Sequence, residues 1–171
     1  MSEAWTAPGP PSMVERSEPE MRTRVWRRLD EPGMEAVHVE SLSHAIGVQI
    51  GPTYELRWRL DDERLELELN GDRRASIGLD GADFFDVFAS PFFNSLPVMR
   101  DGLLEAGPPR DYVMQFVRVP ELTVVRSDQR YEPRGGRVVH YSSGSFAADI
   151  SFDGEGFVTL YEGFLERVER R

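Results

Sequence analysis

The sequence predicts a mostly-β domain, a barrel, sandwich or roll of about ten to thirteen short strands. Three observations carry that expectation. Prolines at 32, 52, 91, 97, 108, 109, 120 and 133 chop the body into pieces and leave room for long helices only in the stretches without them. The proline-free pieces alternate apolar and polar residues with period two. Turn dipeptides such as Asn70-Gly71, Gly135-Gly136 and Asp153-Gly154 separate them.

The elements follow in order. Arg24 to Leu29 opens the body, and 35–41 with 45–50 forms a hairpin. From Thr53 to Leu60 the pattern is clearest: Tyr54, Leu56, Trp58 and Leu60 share one face, with Thr53, Glu55, Arg57 and Arg59 on the other. Leu65, Leu67 and Leu69 repeat it against Glu66 and Glu68, after a polar turn at Asp61-Asp62-Glu63. Such alternation marks strands with one buried and one wet face. Strands at 73–79, 111–119, 122–126, 137–142, 146–152 and 157–161 complete the set. Residues 111–119 are apolar on both faces, which predicts a central strand covered from two sides.

One stretch breaks period two. Ser90-Pro91 reads as an N-cap followed by proline in the first helical position. Apolar residues then recur on most sides, which predicts a short buried helix over about 91–103, kinked at Pro97.

The chain has 171 residues, which fits one domain over 22–171 behind a disordered tail at 1–21. The tail holds four of the twelve prolines and lacks the features of a secretory signal. Trp5 and Met13 stand isolated in it. No apolar run approaches the ~20 residues that span a bilayer, and a cytoplasmic protein is expected. The net charge of −10 argues against a nucleic-acid partner, which needs a basic face. Cysteine is absent, so disulfides and thiolate chemistry are excluded. All 20 basic residues are arginine, whose planar fork suits carboxylates and phosphates where a composition bias is not the whole cause.

No catalytic, metal or cofactor motif emerges. The three histidines, His38, His44 and His140, lack ligand spacing; His38 and His44 could meet across a hairpin but would need a third ligand. Asp80, Asp83 and Asp86 recur every third residue, without the density of a calcium loop. The serines at 142, 143 and 145 lack a nucleophile elbow and read as a turn. Five of the ten phenylalanines fall between 84 and 93. They form core, or line a pocket of the kind that β-rolls and barrels enclose.

Four segments resemble a bacterial family named "putative glycolipid-binding". They are WRRLDEPG at 26–33, SPFFNSLPVMR at 90–100, VRVPELTVVRSDQRYE at 117–132 and FAADISFDGEGFVTLYEGFLERV at 146–168. They stand in family order and cover roughly 22–168. Departures occur at Ser90, Phe93, Ser95 and Met99, and where Leu60, Asp61 and Arg64 stand in place of a cysteine, aspartate and tryptophan pattern. The resemblance implies a spiral β-roll of about 10–15 mainly antiparallel strands around one central helix. It also implies a homodimer.

The expected function is non-catalytic binding of a glycolipid or other amphipathic ligand. Phe84, Phe88, Phe92, Met99, Met114 and Phe116 are candidates for an apolar lining. Arg27, Arg28, Arg100 and Arg130 are candidates for an anionic or sugar headgroup. One alternative is an interaction protein that pairs with itself through sheet edges. Another is an enzyme on a β-roll with His38, His140 or Asp83 as base; a buried, perturbed titratable group in a concave site would favour it. Asn94 is expected to satisfy backbone groups near the helix.

Overall fold

In the computed structural model, residues 22–169 are described; the expected tail, with Trp5 and Met13, lies outside them. Among the described residues, thirteen strands form one sheet. They are β1 (Arg22–Arg28), β2 (Met34–Ser41), β3 (His44–Ile50), β4 (Glu55–Asp61), β5 (Arg64–Leu69), β6 (Arg73–Gly78), β7 (Phe84–Val87), β8 (Arg110–Val117), β9 (Val124–Gly135), β10 (Val138–Ser143), β11 (Phe146–Phe152), β12 (Val158–Tyr161) and β13 (Leu165–Arg167). One helix, α1 (Phe92–Asp101), lies between β7 and β8.

The spatial order is β6-β5-β4-β3-β2-β1-β13-β12-β11-β10-β9-β8-β7. Two antiparallel meanders meet where the first strand pairs with the last, Arg27 opposite Glu166. The two edge strands, β6 and β7, are consecutive in the chain and joined by residues 79–83 alone. Six virtual bonds reach at most roughly 20 Å, so a sheet this wide must curl until its edges approach. Gln115 of β8 closes that approach by donating to the Gly78 carbonyl of β6 at 3.2 Å. The result is a roll.

Side-chain parity follows the expected alternation. Leu56, Trp58 and Leu60 of β4 are buried opposite Leu69, Leu67 and Leu65 of β5, with Arg57 and Arg59 outside. A slip of one residue would turn all six inward side chains to water, which pins the register.

Two expectations change. Residues 111–119 are not central: β8 lies next to the edge strand β7 and pairs with it in parallel. A parallel pair needs a crossover, and α1 supplies it. Tyr112 and Met114 of β8 share a buried cluster with Val98 and Leu103 of that crossover, so β8 is apolar without sitting at the middle. The second concerns Ser90, which is no cap. The helix starts after Pro91 without a side-chain cap bond, and the Ser90 hydroxyl donates to Glu35 at 2.6 Å instead.

The helix is buried from Phe92 through Val98 without a break. Pro97 stands inside it and removes one backbone bond, a substitution that costs an exposed helix about 3 kcal/mol. Contacts on every side offset this. Phe92 and Phe93 pack on Trp58 of β4, at ring distances of 5.6 and 4.8 Å. Ser95 accepts the Val158 N–H of β12 at 3.1 Å. Gly102, at φ 66°, ends the helix in the left-handed conformation that glycine adopts freely.

Candidate functional site

The second half of the sheet, β7 to β13, carries a cavity of about 570 Å³. Its wall is built by strand parity. Tyr131 of β9 stands opposite Tyr141 of β10, and Ile150 of β11 opposite Tyr161 of β12. All face inward, so aromatic rings follow one another across the sheet. Tyr112, Tyr131, Tyr141, Tyr161, Phe164 and Phe88 form a continuous ladder with centroid spacings of 5.2–6.1 Å. Four of the five tyrosines of the chain belong to it. Phe146, 51% exposed, stands at the rim beside Tyr141 and Tyr161.

One buried carboxylate faces this wall. Asp86 of β7 lines the cavity and is only 7% exposed. Burial raises its pKa to about 6, against the pull of hydrogen bonds from Gln129 and the Val87 N–H. The Gln129 amide donates to Asp86 at 2.8 Å, and the Tyr131 hydroxyl donates to the Gln129 carbonyl at 3.5 Å. Asn94 of α1 donates to that hydroxyl at 3.3 Å. A directed chain thus runs from helix to edge strand: Asn94, Tyr131, Gln129, Asp86. Burial first, then the Asp86 charge among other causes, holds the Tyr131 hydroxyl protonated well above its ordinary range. Tyr141 and Tyr161 are shifted upward by burial and by Asp86 as well. The arrangement offers hydroxyl and amide donors, one buried acceptor and flat ring faces, which is the chemistry of a small-ligand pocket.

Asn94 therefore serves a side-chain network rather than backbone groups. Asn94→Ala should lower stability by about 1 kcal/mol, or a few degrees in Tm. An unchanged melting temperature would contradict the role of the network.

A second buried carboxylate stands behind the cavity lining, one hydrogen bond from Ser90. Glu35 of β2, 1% exposed, accepts from Ser90 at 2.6 Å, from Trp58 Nε1 at 3.2 Å and from Gln49 at 3.3 Å. Burial lifts its pKa to about 7 despite those bonds. Gln49 also donates to the Phe88 carbonyl, and Tyr54 donates to Gln49. The group ties three strands to the segment that opens α1.

The sequence-predicted residues divide. Of the six apolar candidates, Phe88 and Phe116 line the cavity. Phe84 packs edge-on to Tyr112, and Phe92 and Met114 are buried in core. Met99 packs against the Trp58 cluster. All four arginine candidates have carboxylate partners: Arg27 has Glu166, Arg28 has Asp30 and Glu31, Arg100 has Asp101, and Arg130 has Asp111. Arg28 comes nearest the cavity, stacked over its lining residues Phe164 and Phe88. His38 and His44 do not meet: His38 lies 3.5 Å from Thr23 Oγ1, and His44 pairs with Asp61 at 3.0 Å in an exposed turn. His140 pairs with Asp149 at 2.7 Å, and Asp83 accepts the Val113 N–H at 2.8 Å.

A family model described as "Putative glycolipid-binding" matches residues 47–167. The chain belongs to that family. The match spans β3 to β13, and so includes every strand of the cavity wall. The chain is also similar to a solved structure, a DUF1089 family protein from Pseudomonas aeruginosa. That likeness has 20% identity and a TM-score of 0.58, and covers 98% of this chain and 100% of the other. At that identity it speaks for the fold. A search among curated proteins finds no match. The family description supports a binding role at family level. Among the described residues, no helix is long and apolar enough to cross a membrane.

Proposed function

We propose that this protein is a non-catalytic binder of an amphipathic, hydroxylated ligand held in the β7–β13 cavity. The observation that supports it best is the aromatic wall of the 570 Å³ cavity facing buried Asp86. Ring faces of Tyr141 and Tyr161 suit the flat face of a sugar or an apolar stem, and Asp86 with Gln129 suits hydroxyl groups. Exposed Phe146 gives an apolar tail a path over the rim. The family's glycolipid description agrees with this chemistry.

A catalytic reading is favoured by one feature, because Asp86 is a buried carboxylate of raised pKa in a concave site. Its hydrogen-bond donors, however, are an amide side chain and a backbone N–H, which hold it as an acceptor rather than couple it to a nucleophile.

The test is mass spectrometry of an organic extract from protein purified out of its own host, beside an unrelated protein treated alike. One amphiphile enriched near one per chain, recovered intact, is the expected result. A hydrolysed product in its place would favour the enzyme. An extract that matches the control would count against both.

A further inference from the structure

Asp86 is a carboxylate buried in a cavity, and among the described residues it has no ion-pair partner. Its hydrogen-bond donors are neutral: the Gln129 amide and the Val87 N–H. The cavity wall contains no arginine or histidine among the described residues, and the chain has no lysine. The other carboxyl groups at the wall are Asp30 and Glu162, and its tyrosines, Tyr141 and Tyr161, are held neutral by burial. Asp30 is already taken by the Arg28 guanidinium at 2.7–2.8 Å. Glu162 is exposed at the rim.

A buried carboxylate without a cation is costly, and a cation that arrives beside it removes that cost. The neighbouring groups favour the same visitor. Aromatic faces attract cations through the ring quadrupole, most strongly where water is excluded. Tyr141, Tyr161, Phe146 and Phe164 supply such faces around the space that Asp86 lines. An anion would meet these groups with the wrong sign, and the one guanidinium stacked on the lining rings, Arg28, is already paired with Asp30 and Glu31.

We infer that the cavity selects a ligand whose headgroup carries an ammonium group, seated on Asp86 and ringed by Tyr141, Tyr161 and Phe164, with its apolar stem leaving over Phe146. The inference rests on the reading of the cavity as a binding site for an amphiphile. An amino sugar and a simple alkylamine both offer this chemistry.

Calorimetric titration of the full chain at pH 7.5 tests it. The probes are octyl glucoside, octyl glucosaminide with its free amine, octyl glucuronide and octylamine, all below micelle-forming concentration. A charge-assisted bond at a buried acceptor predicts that the glucosaminide binds about tenfold or more tighter than the glucoside. The glucuronide should show no measurable binding. Octylamine as strong as the glucosaminide would assign the preference to the amine alone; a weaker octylamine would add the sugar ring to what is recognised, and either supports an ammonium site. Asp86→Asn, which keeps an acceptor for Gln129, should bring glucosaminide and glucoside within about threefold of each other. The wild-type series stands even where that variant folds poorly. Glucoside binding equal to or tighter than glucosaminide would overturn the ammonium site and leave the binder reading intact. Absence of binding by all four probes would overturn both. A variant that keeps the full amine preference would remove Asp86 from the assignment.

Discussion

Denaturation by urea should show the protein about 4 kcal/mol less stable at pH 8 than at pH 5. The expectation comes from Glu35 and Asp86, the two buried carboxylates whose pKa values rise to about 7 and about 6. A carboxyl group with a raised folded pKa holds its proton in the native state where the unfolded chain has released it. Its contribution to stability is complete below the ordinary carboxylate range and disappears as pH climbs through the folded value. For Glu35 that window runs from 4.5 to about 7, and for Asp86 from 3.8 to about 6. Other carboxylates act with the opposite sign. Asp30 is lowered by its hydrogen bond to Arg28 and Asp101 by bonds from Arg100 and Tyr112. Burial opposes the same shift at Asp153, but Arg167 and two backbone N–H groups outweigh it. Those groups stabilise above their ordinary values, so their effect is nearly complete by pH 5 and leaves the alkaline slope to Glu35 and Asp86. Glu35→Gln should remove more than half of that slope. The amide can accept from Trp58 and Gln49 while its NH₂ donates to the Ser90 oxygen, so the network survives. Equal stability at pH 5 and pH 8, or a slope untouched by Glu35→Gln, would refute this account.

Both carboxylates show what a lone sequence discloses and what it hides. The strand pattern was open to reading because polar and apolar residues alternate through β4 and β5. Glu35 lies in phase with Val37 on β2, and Gln49 in phase with Ala45 on β3. Parity alone places them inside. Their polarity argues the other way, and only the arrival of Ser90 and Trp58 from 55 and 23 residues away resolves the conflict. Asp86 was hidden differently. It closes a regular aspartate series and sits in the middle of a phenylalanine run. The series lacked the density of a metal loop and the run suggested core or a pocket, whereas Asp86 sits with Phe84 and Phe85 on a short parallel edge strand. Parallel pairing depends on a crossover, which no local pattern reveals. The cavity wall escaped for a related reason. Its tyrosines, Tyr141 and Tyr161, belong to a ladder of rings spread over 112–161 that converges only through register. The arginines misled by composition: in a chain with 30 acidic residues, a guanidinium finds a carboxylate partner before it finds a ligand.

Gly47→Ala should cost at least about 3 kcal/mol, although it adds one methyl group to a strand. Gly47 of β3 lies directly opposite Trp58 of β4, and the indole folds flat across it. A Cβ at position 47 would fall 2.2 Å from Cε2, and 2.4 Å from Cζ2 and Nε1, of that ring. Side chains this close must separate, and Trp58 has nowhere to go. Its Nε1 is bound to Glu35 at 3.2 Å, and its ring is held against Phe92 and Phe93. Shifting the indole would therefore break a bond to a buried carboxylate and loosen the helix that crosses from β7 to β8. A double-mutant cycle separates this cause from the general cost of a strand substitution. In a Trp58→Leu background the flat ring is gone, and Gly47→Ala should cost less than about 1 kcal/mol. Gly107→Ala is the control: its nearest neighbour to a new Cβ is a carbonyl oxygen at 3.9 Å, ordinary contact. It should change stability by no more than about 0.5 kcal/mol. Equal costs at 47 and 107, or additive costs in the cycle, would show that Trp58 yields, and that the glycine is not what lets the indole reach Glu35.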